Sequence, residues 1–261
     1  MRAKVELASA GKFLGVPTEN FEGAGREQFI YLLRAGLTPA AKVVDVGCGV
    51  LRGGYWLIHF LDAGCYCGIE PHKERLQIGT DHILEPEIIK LKQPRFDTNP
   101  NFDTSVFGEK FDFFVAYSIW THASKPQIAT MLDAFVRDSK ENGVLLATYY
   151  PSSWRHADYK GDHWVGTSHE SETPGCIRHS SRWIKAECKN RDLQVSRFGQ
   201  DEAHGQCWLA IRRNSAPARG LGRGKLRRWR RYLANRCGIW YCTFQTAFRR
   251  TGKLVCGGRS E

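Results

Sequence analysis

The sequence predicts an α/β protein built on a mainly parallel sheet with helices on both faces. Three observations predict it. Short β-branched or aromatic runs alternate with segments of helical periodicity. A glycine-rich turn, Gly47-Cys48-Gly49, lies between the first such run and the helix after it. The pattern ends in two strands around a turn over 199–205, a closing hairpin. In such a sheet, ligands bind where the carboxyl ends of the strands meet the loops.

Each element has its own cue. An opening helix is expected over 3–13, ending near Gly15-Val16-Pro17. Residues 25–35 read as an amphipathic helix with Phe29, Leu32 and Leu33 on one side and Gly36 as its stop. After Thr38-Pro39-Ala40, residues 42–46 form a short β-branched run, a buried strand. Helix is expected over 53–61, strand over 66–70 and helix over 72–83. Residues 85–103 are looser and contain Pro86, Pro94 and Pro100, with a third strand near 95–97. The stretch 111–117 is the most strand-like of the chain. Ser124 then offers an N-cap, Gln127 completes a capping box and Pro126 sits in the first turn of a helix ending at Asn142-Gly143. A fifth strand over 144–150, a polar loop, a helix over 180–190 and strands over 193–198 and 206–211 complete the order.

Charge divides the chain. Its net +11 arises from 24 Lys+Arg against 26 Asp+Glu in residues 1–211, and 14 against one in residues 212–261. The body is near neutral and the basic character belongs to the tail. The nine cysteines are scattered without a CxxC pair, so neither a zinc site nor a redox motif is indicated. The charged start Met1-Arg2-Ala3-Lys4 lacks the apolar core of a signal peptide, and no apolar run is long enough for a membrane span. A reduced, cytoplasmic location is expected.

The turn carries the chemistry. Gly47 and Gly49 let the backbone bend sharply and approach a ligand with no Cβ in the way. The helix from Gly53 points its unpaired N–H groups at the same place. A dinucleotide would set a pyrophosphate there and usually spaces its glycines as GxGxxG. Here the spacing is Gly47, Gly49, Gly53, and Asp45 precedes the first glycine by two. A carboxylate at that point repels a pyrophosphate and suits the ammonium end of a methionine moiety. Glu70, closing the second strand, can accept both hydroxyls of a ribose, a feature common to both cofactor classes.

Asp45-Val46-Gly47-Cys48-Gly49 with the acidic end of strand two resembles motifs I and II of the class I S-adenosylmethionine-dependent methyltransferases. Gly25 with Gln28-Phe29, then Gly36-Leu37-Thr38-Pro39, Leu51-Arg52-Gly53-Gly54, Tyr66-Cys67-Gly68-Ile69-Glu70-Pro71, Tyr117-Ser118-Ile119-Trp120-Thr121-His122 and His204-Gly205-Gln206-Cys207-Trp208 resemble a bacterial subgroup of that superfamily whose substrates are largely undefined. The resemblance covers about 15–212. It implies a Rossmann-like, doubly wound, seven-stranded sheet of order 3-2-1-4-5-7-6 with the last strand antiparallel, and S-adenosyl-L-methionine as cofactor. The cofactor contacts it implies are Asp45, Gly47, Cys48, Gly49, Arg52, Glu70, Tyr117 and Ser118. Phe102, with Asp97, Asn101 and Asp103, lies around the end of strand three, where related enzymes hold the adenine.

Methyl transfer from a sulfonium is an in-line displacement, so alignment dominates, and a base is needed only if the acceptor must lose a proton. His122, just after strand four, and His204, in the last hairpin, are the candidate catalytic bases, because both lie near the ligand edge. Each also has a plain structural reading, His122 bonding the following loop and His204 shaping the hairpin. The loop 151–170, with Trp154, Arg155, His156, Asp158, Tyr159, Asp162, His163, Trp164 and His169, resembles an acceptor-binding lid. It has no metal-ligand spacing, and no metal is expected.

Three parts are therefore expected: a helical cap (1–36), the cofactor-binding domain (37–212) and a basic aromatic tail (213–261). In the tail, Leu226, Trp229, Leu233, Cys237, Trp240, Phe244 and Phe248 make a helical apolar stripe with arginines opposite its first half. Such a helix over 225–250 suits peripheral contact with an anionic inner-membrane surface. Nucleic-acid backbone binding and packing on a partner are the rival readings. A hydroxyl on a small molecule, a glycan or a lipid-linked precursor is the expected acceptor. RNA methylation anchored by the tail, or cofactor binding without catalysis, are the alternatives.

Overall fold

Residues 20–202 and 204–214 are described by the computed structural model. The helix expected over 3–13 and the basic aromatic stripe lie outside the described residues. In chain order the elements are α1 (Phe21–Ala35), β1 (Val43–Val46), α2 (Gly54–Phe60), β2 (Tyr66–Ile69), α3 (Lys73–Ile78), α4 (Pro86–Lys92), β3 (Arg95–Asp97), β4 (Phe111–Ala116), α5 (Lys125–Asp138), β5 (Ser139–Tyr149), α6 (Ser181–Lys189), β6 (Leu193–Gln200) and β7 (Cys207–Arg213).

The strands form one sheet in the order β3-β2-β1-β4-β5-β7-β6. All pairs among β1 to β5 are parallel, and β7 runs antiparallel to both β5 and β6. This is the order and direction that the sequence resemblance implied. Every residue of β1 and β2 is buried, as expected of parallel strands covered on both faces. Alternate residues divide between two cores. Val44, Phe114 and Leu145 pack with Ile128, Leu132 and Phe135 of α5 and Ile184 of α6. Val43, Phe113 and Leu146 pack with Leu32 of α1 and Leu57 and Ile58 of α2.

Boundaries differ from expectation for identifiable reasons. The first described helix begins at Phe21 rather than residue 25, and Gly25 lies inside it at a position with no room for a side chain, since a Cβ there would sit 2.2 Å from the Arg52 carbonyl oxygen. The loose region contains α4, with Pro86 in its first turn; this proline starts a helix instead of breaking one. After α3 the chain widens into a π-helical turn, Gly79–Ile83, where a Cβ on Gly79 would press on Leu51 at 2.7 Å. The capping box of Ser124 and Gln127 forms as expected, but α5 stops at Asp138. Strand β5 begins at once, with an irregularity that pairs Phe111 with Ser139 and Phe113 with Val144. At the other end β7 continues to Arg213, and the Asn214 amide donates to the Asp192 carbonyl at 3.1 Å. The sheet domain therefore extends slightly beyond residue 212.

Candidate functional site at the carboxyl edge of the sheet

The glycine turn leaves β1 with Gly47 at φ +74° and Gly49 at φ +56°, the left-handed region that favours glycine. The Gly47 and Cys48 amides donate to the Ile69 carbonyl at 2.8 and 3.1 Å, locking the turn to the end of β2. A Cβ on Gly47 would lie 2.1 Å from Cδ1 of Ile119, whereas one on Gly49 would meet only Glu70 Oε2, at 4.0 Å. The turn is thus closed on the Ile119 side and open above Gly49, where a ligand can approach the backbone.

Glu70 reaches back to the turn. Its Oε2 accepts from the Gly49 amide and its Oε1 from the His72 amide, both at 2.9 Å. The carboxylate is thereby fixed at the edge with lone pairs left for further donors. Asp45 lies deeper, 4% exposed, and accepts from the Tyr66 hydroxyl at 2.8 Å. Burial pushes its carboxyl up to about 7, partly offset by the Tyr66 bond, with Glu70 adding to the rise. Cys48 contributes its backbone to the turn while its side chain packs down on Gly68 of β2. Burial pushes that thiol well up, away from nucleophilic use.

The end of β4 meets the last hairpin. Tyr117 donates to Asp201 Oδ1 at 2.9 Å and lies 3.0 Å from His204 Nδ1. Asp201 is 2% exposed; its Oδ2 accepts from the His204 amide at 2.7 Å and lies 3.2 Å from His204 Nδ1. These donors outweigh burial and hold the Asp201 carboxyl down at about 2. Arg52, from the glycine turn, places its guanidinium 5.8 Å from the Tyr117 ring centroid. Ser118 adopts φ +58°, a strained geometry for a non-glycine residue of the kind that gathers at functional sites. Its amide donates to Thr148 Oγ1 at 2.7 Å, and its hydroxyl accepts from Gln206 Nε2 at 3.0 Å. Leu51 and Phe102 also have positive φ. Phe102 is 7% exposed and packs with Val46, Phe114 and Ala116 near the end of β3.

His122 is embedded in a different set of contacts. Its ring stacks on Trp164 at 5.6 Å, and its Nδ1 donates to the Val165 carbonyl at 2.8 Å. Burial pushes its pKa down, against the opposing pull of the Val165 and Gly175 carbonyls. These contacts pin the loop between β5 and α6 across the edge. The ends of that loop are zipped by the bonds His179 N–H to Tyr150 carbonyl and Ser152 N–H to His179 carbonyl, each 2.9 Å. Its middle reaches Arg75 of α3, which donates to the Thr167 carbonyl at 3.1 Å. The loop therefore runs from β5, past His122 after β4, to α3, which follows β2. Trp154 stands 87% exposed on it.

Of the residues singled out from the sequence, Asp45, Gly47, Cys48, Gly49 and Glu70 gather around the turn. Arg52, Tyr117, Ser118 and His204 gather at the neighbouring β4–hairpin junction. His122 instead joins the loop between β5 and α6, and Phe102 lies in the core. Several participants gave no sequence signal. Glu27 comes from α1, Asp201 from the hairpin and Thr148 from β5. The glycines hinted at α1: a Cβ on Gly53 would lie 2.2 Å from Gln28 Oε1, so paired glycines mark where that helix abuts the turn. Among the described residues, no group of three or more His, Cys, Asp or Glu side chains is arranged to hold a metal. No described helix is long and apolar enough to cross a membrane.

No family model matches the chain. An uncharacterized protein of Rickettsia prowazekii (strain Madrid E) is 26% identical over 121 residues, covering 44% of this chain and 46% of that protein. The chain thus spans about half the length of the curated relative it matches. Among solved structures, magnesium protoporphyrin IX methyltransferase (ChlM) of Synechocystis PCC 6803 with bound SAM is similar at TM-score 0.53 and 15% identity, over 74% of this chain and 79% of that one. DesVI of Streptomyces venezuelae is similar at TM-score 0.54 and 15% identity, over 74% and 92%. A complex of DhpI with SAH is similar at TM-score 0.52 and 13% identity, over 83% and 94%. The chain has the fold of the class I S-adenosylmethionine-dependent methyltransferases.

Proposed function

We propose that the chain is a methyltransferase that binds S-adenosyl-L-methionine at the Asp45–Gly49 turn and methylates a hydroxyl on a small molecule, a glycan or a lipid-linked precursor. The observation that supports this most is a juxtaposition. The open backbone at Gly49 with Glu70 lies on the same sheet edge as the Tyr117–Asp201–His204 cluster, and the aromatic loop bridges over it. The residues fit the cofactor: Glu70 can accept from ribose hydroxyls, Asp45 can oppose an ammonium, and Phe102, packed in the core near the end of β3, would back the adenine. Tyr117, Ser118 and Arg52 would hold the methionine end.

When bound, S-adenosylmethionine supplies a methyl group on a positively charged sulfur. The chain's part is alignment and proton removal. His204 Nδ1 donates toward Asp201, so Nε2 is the basic nitrogen, set to accept the proton of an acceptor hydroxyl. Asp201 stabilises the imidazolium that results. His122, the second candidate base, acts in this reading by holding the lid. The lid excludes water and offers Trp154 to a sugar or ring. Calorimetric binding of S-adenosylhomocysteine, followed by transfer of radiolabelled methyl to saccharide and lipid-linked acceptor pools, tests the proposal. Binding without label transfer to any pool would favour a cofactor-binding module, and label in RNA would favour the nucleic-acid reading.

A further inference from the structure

The hairpin histidine does not stand alone with Asp201. Helix α1 brings Glu27 to the same place. Glu27 Oε1 accepts from the Glu202 amide at 2.8 Å, and its carboxyl hydrogen-bonds the side chain of Asp201. Two carboxyl groups in hydrogen-bond contact need one proton between them. Donor count decides which keeps it. Asp201 receives the Tyr117 hydroxyl, the His204 amide and the His204 ring, whereas Glu27 receives one amide. Asp201 is the ionised member, and Glu27 donates to it.

We propose that Glu27 is a positioning residue that carries a titratable proton onto Asp201 and so sets the protonation of His204. The reading of His204 as a base rests on the proposed methyltransferase activity; the Glu27–Asp201–His204 coupling does not. Helix α1 is suited to the task because it is held rigidly against both halves of the site. Gly25 packs on the Arg52 carbonyl and Gln28 on Gly53. Tyr31 donates to the Gln200 carbonyl at 2.8 Å and stacks on Trp208 at 4.7 Å. The charged and titratable groups around the pair are Tyr31 and Arg34 on α1, Tyr117 after β4, Arg52 from the glycine turn, and Glu202 and His204 in the hairpin. Burial, opposed by the Glu202 amide bond and helped by the Asp201 carboxyl, pushes the Glu27 carboxyl up to about 7. Below that pH a single negative charge faces His204. Above it there are two, and the imidazolium is better stabilised.

The test needs no acceptor. The ring signals of His204, assigned by comparison with His204→Asn, are followed by NMR against pH in the full chain and in Glu27→Gln. Glutamine keeps a donor for Asp201 and an acceptor for the Glu202 amide but cannot ionise. The expected result is a two-step His204 titration with one inflection near pH 7, reduced to a single step in Glu27→Gln. Infrared difference spectra between the unmutated chain and Glu27→Gln, in which the buried Asp45 carboxyl cancels, should show a protonated-carboxyl band at pH 6 that fades through pH 7. Identical single-step curves in both proteins, or a carboxyl band unchanged by the substitution, would overturn the proposal. Calorimetry with S-adenosylhomocysteine on the same samples separates the two ideas, since loss of cofactor binding would sink the methyltransferase reading and leave the coupling standing.

Discussion

Tyr117 and Asp201 are 84 residues apart and joined by a hydrogen bond of 2.9 Å in a buried setting. That bond ties the carboxyl end of β4, beside the glycine turn, to the hairpin that carries His204. Its acceptor is ionised and 2% exposed, so removing the donor leaves a buried charge short of a partner. Tyr117→Phe should therefore destabilise the protein by about 1.5–3 kcal/mol in chemical denaturation, the range for hydrogen bonds to charged groups. The carboxyl of Asp201 should rise from its depressed value. A change below about 0.5 kcal/mol, the level of an ordinary surface substitution, would mean that the bond does not hold the two halves together.

Asp45 gives a pH dependence whose sign is opposite to that of a salt-bridged carboxylate. Its folded value is about 7, above the ordinary 3.8, so the folded state holds the proton more tightly than the unfolded chain. Stability of the ligand-free protein should fall as pH rises from about 4 through 7. Asp45→Asn should remove this fall and make the ligand-free variant the more stable at pH 8. Cofactor binding should run the other way. An ammonium group favours the ionised carboxyl, so affinity for S-adenosylhomocysteine should increase up to about tenfold between pH 6 and pH 8. The variant should bind weakly at both. A flat pH profile for the unmutated protein would show that the ligand's ammonium does not meet Asp45.

Gly47 has no room for a side chain. A methyl group there would collide with Ile119 Cδ1 at 2.1 Å, and φ +74° is strained for any L residue. Gly47→Ala should lose about 1–2 kcal/mol from backbone strain alone, measured by thermal unfolding, and should weaken cofactor binding. Adding Ile119→Ala should recover the steric part and leave the strain. Full recovery in the double variant would refute the backbone contribution.

These contacts mark where sequence reasoning reached and where it stopped. Periodicity located six of the seven strands closely, because each is a short buried run bounded by turn residues. Only β5 began well before its expected start, since Lys140, Glu141 and Asn142 are polar and the irregular pairing with Phe111 carries no periodic signal. Helix α4 was hidden because Pro86 reads as a breaker until its N-terminal position is known. The glycine turn and Glu70 were legible since they are local motifs with fixed spacing. Glu27 and Asp201 were not, because each matters only through contacts between segments about 175 residues apart. His122 shows a related ambiguity: proximity to the edge was readable, but not that Trp164 and Val165 would occupy its ring.

The embedding of His122 predicts the phenotype of its removal. Without the ring, the Val165 carbonyl and the stacked Trp164 lose their partner. His122→Ala should therefore raise hydrogen exchange across residues 151–179 severalfold while exchange in β1, β4 and β5 stays unchanged. S-adenosylhomocysteine binding should persist with faster dissociation, as expected when a loop that closes over a ligand loosens. Lost methyl transfer with no rise in loop exchange would return His122 to the role of base.

Residues 225–250 lie outside the described structure, so the prediction about them rests on sequence chemistry. Arg227, Arg228, Arg230 and Arg231 surround Trp229 on a segment whose apolar positions recur at helical spacing. Juxtamembrane arginines contribute on the order of 1 kcal/mol each near an anionic surface. Changing all four to glutamine in the full chain should therefore reduce binding to phosphatidylserine-containing vesicles by about a hundredfold or more, with neutral vesicles bound weakly by either protein. The measurement is flotation at two salt concentrations. If the segment serves nucleic acid instead, vesicle binding will be weak from the start. RNA affinity will then fall steeply with salt, with a slope that shrinks in the four-arginine variant. The two outcomes are distinguishable because vesicle binding keeps at high salt the part supplied by aromatic insertion, whereas binding through counterion release alone does not.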